Sequence, residues 1–151
     1  MFRNEIRSET VIEGTAGDVW QVLTDFPAYG SWNPGFEKAE GRAEVGQTLH
    51  ITFALKGGRS MRMHPTVLVA DPGRELRWLG RLWLPGIFDG EHRFEIHELE
   101  PGRVRFVQGE RFRGVLVPFL RKMIEVDTLA MFEKVNAALA ARVRELAAPS
   151  A

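Results

Sequence analysis

Residues 118–147 read PFLRKMIEVDTLAMFEKVNAALAARVRELA. Pro118 suits the first position of a helix, where its missing N–H would be unpaired anyway. No glycine and no second proline follows it within the stretch. Leu120, Ile124, Met131, Val135, Leu139, Val143 and Leu146 recur at spacings of three, four and seven, which is one face of an α-helix. Such a helix is roughly 45 Å long. Its apolar stripe is broken where Asp127 and Thr128 fall near its path. A long amphipathic helix needs a large concave partner, and the chain upstream supplies strands to build one.

Phe2 to Glu13 alternates, with Phe2, Ile6 and Ile12 on one parity and charged residues on the other, as in a half-buried strand. Thr15 and Asp18 make a capping box with Asp in place of Glu, ahead of a short helix carrying Val19, Trp20, Leu23 and Phe26. Pro27 stops it, and FPAYGSWNPG (Phe26 to Gly35) is an aromatic-rich connector. About six strands follow, from Phe36 to Phe112. Gly57-Gly58, Asp71-Pro72-Gly73 and Glu100-Pro101-Gly102 mark turns, Trp83 to Ile87 a loop, and Pro65 an edge or bulge. The order of strand, short helix, strands and long helix predicts an α+β fold: a curved antiparallel sheet around the C-terminal helix.

Composition narrows the function classes. The 151 residues predict one domain over 1–147, with 148–151 as a fraying tail. The absence of cysteine excludes disulfides, thiolate metal sites and a cysteine nucleophile. Lys plus Arg equals Asp plus Glu, so the basic footprint of a nucleic-acid binder is missing. No apolar run reaches the length of a membrane span, and the opening MFRNEIRSE is too polar for a secretory signal. A cytoplasmic protein, monomer or homodimer, is the expectation.

The segments AGDVWQVL (Ala16 to Leu23), TDFP (Thr24 to Pro27) and YGSWNP (Tyr29 to Pro34) resemble the amino-terminal signature of the START-like, or SRPBCC, superfamily, in its polyketide cyclase/dehydrase-like branch. Phe94-Glu95, GERFRG (Gly109 to Gly114) and the terminal helix fit the same group. The resemblance covers essentially the whole chain. It implies the helix-grip fold, with a pocket between sheet and helix. Members bind lipids and hormones, cyclise polyketides, act as co-chaperones or serve as ring-hydroxylase subunits with a mononuclear iron. The histidine-histidine-carboxylate arrangement of those subunits has no match here, and neither metal nor cofactor is expected.

Strand parity then places the site. Phe94, Ile96, Val104 and Phe106 must all face inward, so cross-strand partners in the last hairpin sum to an even number. A three-residue loop at Glu100-Pro101-Gly102 satisfies this; a five-residue loop would shift the partners but keep the same side chains inward. With the three-residue loop, Ile96 opposes Phe106, Phe94 opposes Gln108, and His92 opposes Glu110. An otherwise apolar surface thereby carries His92, Gln108 and Glu110. His92 and Glu110 are expected to orient a ligand's polar group or act as acid and base; the alternative is that they form a cross-strand salt bridge near the pocket mouth or simply meet solvent. A carboxylate favours the imidazolium and burial opposes it, so the pair is expected to titrate near neutrality. Phe53, Met61, Met63, Trp78, Phe88, Phe94 and Phe106 are inward by parity, as wall or core. Met123 and Met131 are the helix's candidates for the opposite wall; Asp127 and Thr128 either face the pocket there or lie exposed at the helix's edge. Trp32 and Asn33 fix the connector or rim the pocket. His50, His64 and His97 fall on outward parity, and Val115 to Phe119 reads as core, lid or dimer contact. The expected function is to hold a small hydrophobic, lipid- or polyketide-like molecule. The alternatives are a cyclase/dehydratase-like enzyme using His92 and Glu110, and a co-chaperone-like interaction module.

Overall fold

The computed structural model describes residues 4–82 and 84–147. Phe2, Arg3, Trp83 and the tail 148–151 lie outside the described residues. Strand β1 (Glu5–Glu13) leads into helix α1 (Ala16–Thr24). The Thr15 side chain accepts from the Asp18 N–H at 3.0 Å, and Asp18 Oδ2 accepts from the Thr15 N–H at 3.2 Å, completing the capping box. The connector is a 3-10 turn (Phe26–Ala28) followed by the short helix α2 (Tyr29–Trp32). Tyr29 is wholly buried between the rings of Phe26, Trp32 and Phe36, and its hydroxyl donates to the Leu23 carbonyl. Asn33 Oδ1 accepts from the backbone N–H groups of Gly35 and Phe36, pinning the exit of the connector.

The strands that follow are β2 (Phe36–Glu40), β3 (His50–Ala54), β4 (Ser60–Met63), β5 (Thr66–Asp71), β6 (Glu75–Leu82), β7 (Phe88–Glu100) and β8 (Arg103–Arg113). They form a five-stranded sheet, β1-β8-β7-β6-β5, and a three-stranded sheet, β2-β3-β4. The ladder changes sheet at Pro65, which cannot donate to it, and the Thr48–Thr66 bridge joins the two. Register shifts at Phe36/Lys38, Val67/Val69 and Glu98/Glu100 add local twist, so the strands curl instead of lying flat. The curl wraps around the C-terminal helix, giving the helix-grip α+β fold.

The predicted pairing of the last hairpin is present: His92–Glu110, Phe94–Gln108 and Ile96–Phe106. The turn differs. Glu100 pairs Arg103 directly, leaving a two-residue Pro101-Gly102 turn, and the odd residue is absorbed by the bulge at Leu99. Gly102, at φ +81°, supplies the left-handed conformation the turn needs.

The terminal helix is also less regular than its spacing suggests. It begins as a 3-10 turn (Val117–Leu120), passes through a π-helical segment (Met123–Thr128), and continues as α3 (Leu129–Ala147). The Leu129 N–H reaches back to the Ile124 carbonyl, five residues away. This absorbs one extra residue. The buried positions are therefore Val117 and Ile124 before the π segment, and Phe132, Val135, Asn136, Leu139 and Val143 after it. Phe132, eight residues after Ile124, lies in line with it because of the wide turn. Of the expected stripe, Met131 is half-buried and Leu146 is exposed. Within Val115 to Phe119, only Val117 is core, while Val115 and Phe119 are 63% and 84% exposed. One cluster packs α1, the inner sheet face, Leu139 and Val143; a second packs Ile6, Phe112, Val117, Ile124 and Phe132.

Deleting Asp127 should let this segment relax to a plain α-helix with both halves of the stripe in phase, leaving stability within about 1 kcal/mol of the parent. Deleting the exposed Ala137 instead should turn Leu139 and Val143 out of the core and cost on the order of 3–5 kcal/mol. Urea unfolding of the two variants checks both.

Candidate functional site

His92 comes from β7, and Gln108 and Glu110 from β8, all on the inner face of the five-stranded sheet. His92 and Gln108 are buried, and the Glu110 side chain is 17% exposed. Four aromatic rings enclose the imidazole: Phe94 at 4.5 Å, Phe132 at 4.9 Å, Trp78 at 5.4 Å and Phe36 at 6.0 Å between centroids. Gln108 Nε2 lies 3.0 Å from His92 Nε2. With the amide donating, Nε2 is the acceptor and the ring proton sits on Nδ1. Nδ1 faces Glu110 Oε1 at 3.7 Å, beyond hydrogen-bond reach.

Burial works against the charged form of both groups. Burial, with a smaller contribution from the Arg93 charge, pushes His92 down from 6.5 to about 3. Burial raises Glu110 from 4.5 to about 8. Enclosure in hydrocarbon disfavours each charged form more than the partner at 3.7 Å favours it. At 3.7 Å the two stand within ion-pair range without a hydrogen bond, and burial works against charging either. Of the expected pair, the carboxyl titrates near neutrality and the imidazole does not. Gly90 makes room for that carboxyl: a Cβ there would collide with Glu110 Oε2.

The polar row continues beyond the predicted residues. Ser8 pairs with Gln108 across β1 and β8, and its hydroxyl accepts from Asn136 Nδ2 at 3.2 Å. Asn136 is 2% exposed, on the face of α3 that meets the sheet. Among the described residues, Gln108 Oε1 and Asn136 Oδ1 are buried without hydrogen-bond partners. Thus the helix's polar counterpart to the sheet cluster is Asn136, and not Asp127 or Thr128. Asp127 and Met123 are exposed on the π segment, and Thr128 and Met131 are half-buried. The signals for the missed pair were present. Asn136 follows Phe132 by four and precedes Leu139 by three, and Ser8 shares the parity of Ile6 and Ile12.

The remaining candidates are wall and core. Trp78, Phe94 and Phe106 are buried in the main cluster, against which Trp32 and Phe53 pack half-buried. Phe53 meets Phe36 edge-on at 4.9 Å. Met61 and Met63 are half-buried opposite Phe53 and Ile51. Phe88 packs on Phe112 in the second cluster. On the outer face, Arg103 and Arg111 reach Glu13, Glu100 and Glu5, so these arginines belong to a charge-balanced surface.

Residues 3–144 match the polyketide cyclase / dehydrase and lipid transport family, and the chain belongs to it. No curated protein matches it in sequence. Among solved structures, a START superfamily protein from Mycobacterium smegmatis is similar at 20% identity and a TM-score of 0.73, covering 94% of this chain and 98% of that one. The Zhui aromatase/cyclase from Streptomyces sp. R1128 is similar at 18% identity and a TM-score of 0.77, covering 93% of each chain. Norcoclaurine synthase from Thalictrum flavum, in complex with dopamine and hydroxybenzaldehyde, is similar at 17% identity and a TM-score of 0.70, covering 96% and 88%. At these identities the likeness establishes the shared fold.

The carboxyl of Glu110 should leave a mark on stability. Its folded value lies above its ordinary one, so its contribution is full below pH 4.5 and is lost as pH rises through 8. His92 acts in the opposite sense: its contribution is full above pH 6.5 and is lost as pH falls through 3. Glu110→Gln should therefore gain on the parent from pH 5 upward, by on the order of 2–4 kcal/mol at pH 9. Parallel urea titrations across that range check the sign; a constant offset between the two proteins would show that Glu110 ionises freely.

Proposed function

We propose that the chain is a binding module that holds a small, largely apolar molecule between the inner sheet face and α3, and grips it by one neutral oxygen-bearing group. The observation that carries this reading is the pair of buried acceptors without partners, Gln108 Oε1 and Asn136 Oδ1, both beside Ser8. A buried polar atom left unpaired costs about 1–3 kcal/mol, and a ligand hydroxyl would relieve it. Glu110, held protonated by burial, adds a donor suited to a carbonyl or ether oxygen. The surrounding Trp78, Phe94, Phe106 and Phe132 suit the apolar remainder. They also fill the interior of the free protein, so binding must displace some of them. The 3-10 and π turns of Val117–Thr128 make that part of the helix the natural place to yield.

A second observation favours an interaction role. Val115, Phe119, Met123 and Val126 are all exposed and recur at spacings of four, four and three. This is an apolar stripe on the outer side of the same segment, and it suits a protein partner.

Native mass spectrometry of the protein purified from its own cells should show one bound small molecule per chain. Asn136→Leu should lose that mass while keeping or gaining stability, since it removes an unpaired acceptor. A wild-type protein that carries no bound mass counts against the binder. Retention unchanged in Asn136→Leu would move the grip elsewhere. Association with a protein that Phe119→Glu abolishes, with ligand retention intact, would support the interaction role.

A further inference from the structure

The outer face of the three-stranded sheet carries a feature unrelated to the interior. His50 opens β3, and His64 directly follows β4. The β3–β4 register, Ile51 with Met63, sets the two histidines side by side across the strands. Their Nδ1 atoms lie 2.9 Å apart, with ring centroids at 4.9 Å and planes 69° apart. Both rings are exposed, and they line a depression of about 270 Å³ with Glu40, Lys38, Thr52 and Arg62. Glu40 is the cross-strand partner of His50, so carboxylate, imidazole and imidazole stand in one row across β2, β3 and β4.

We propose that this row binds a divalent transition-metal ion such as Zn²⁺ through Nδ1 of His50 and Nδ1 of His64. Two nitrogens at about 2.0–2.1 Å from a tetrahedral zinc stand roughly 3.3 Å apart. The pair therefore needs to open by only a few tenths of an ångström. In the free protein one Nδ1–H donates to the other Nδ1. Binding uses the Nδ1 lone pair of each ring, so in the bound form both rings carry their N–H on Nε2. The described residues hold no ready-made cluster of three or more ligands. Glu40, now ion-paired to Lys38 at 3.1 Å, is the third ligand that the row offers, with water completing the shell. Such an ion would clip β3 to the chain just beyond β4, the outer strand of its sheet. Arg62 opposes it, since its charge lies in the same depression.

The test is calorimetric titration of the untagged full chain with Zn²⁺. The wild type should bind one ion, and His50→Ala and His64→Ala should each weaken it by on the order of tenfold or more, as loss of a ligand requires. His97→Ala, which removes a half-buried histidine paired to Glu95 on the other sheet, should leave the affinity unchanged. Arg62→Gln should tighten binding by removing a repelling charge. No saturable uptake, or uptake that survives both alanine variants, would overturn the proposal. So would weaker binding in Arg62→Gln, which is the response of an anion site. His50, Arg62 and His64 are exposed, so their substitution leaves the fold in place, and thermal melts of every variant without metal check this.

Discussion

A helix that plugs a curved sheet must keep one unbroken apolar face along its whole buried length. In this chain the face is kept by a departure from helical regularity. The π turn at Met123–Thr128 absorbs one residue and brings Ile124 into line with Phe132. Without it, Ile124 and Phe132 would point about 80° apart, and one of them would turn away from the core. Phe132 is the ring that closes over His92. The environment of the site therefore depends on a turn two helical repeats away.

That environment explains why the polar row is neutral. His92 sits among four rings, and Glu110 lies over Gly90 with His92 at 3.7 Å. A charge in such surroundings is disfavoured unless a close partner compensates. The imidazole proton and the carboxylate oxygen do not come close enough. Each group accordingly takes its uncharged form, one by losing a proton and the other by keeping it. On the outer face of the same strands the opposite holds. Arg93 lies 2.7 Å from Glu5 and 3.0 Å from Glu95, and there charge survives because the partners touch and water is near.

Much of the arrangement was legible in the sequence, because a strand has a period of two. Once Phe94 and Phe106 must both face inward, His92 and Glu110 follow, whatever the turn between them does. The turn came out one residue shorter than expected and the register did not change, since the bulge at Leu99 took up the difference. The helix was harder to read. A regular period of 3.6 placed the polar break at Asp127 and Thr128 and passed over Asn136. The break instead marks the wide turn, and a single-residue phase change leaves no compositional sign. Nor does parity measure distance. It assigned His50 and His64 to the outer face, but only the pairing of Ile51 with Met63 sets them beside each other.

The protonation states also bear on the kind of molecule the interior suits. A protonated Glu110 donates, while Gln108 Oε1 and Asn136 Oδ1 accept. No arginine or lysine faces this row from the paired inner positions of β1, β7 and β8, which are Ile6, Ser8, Thr10, His92, Phe94, Gln108 and Glu110. A ligand carboxylate would have to be buried there without a countercharge. An ammonium group would have to draw the proton off Glu110, against the same burial that holds it on. A hydroxyl or a carbonyl meets neither obstacle, because it can pair with neutral donors and acceptors as they stand. The row thus selects by hydrogen-bond pattern in place of charge. On this reading Glu110 matters less as a carboxylate than as a carboxylic acid whose ionisation the fold disfavours.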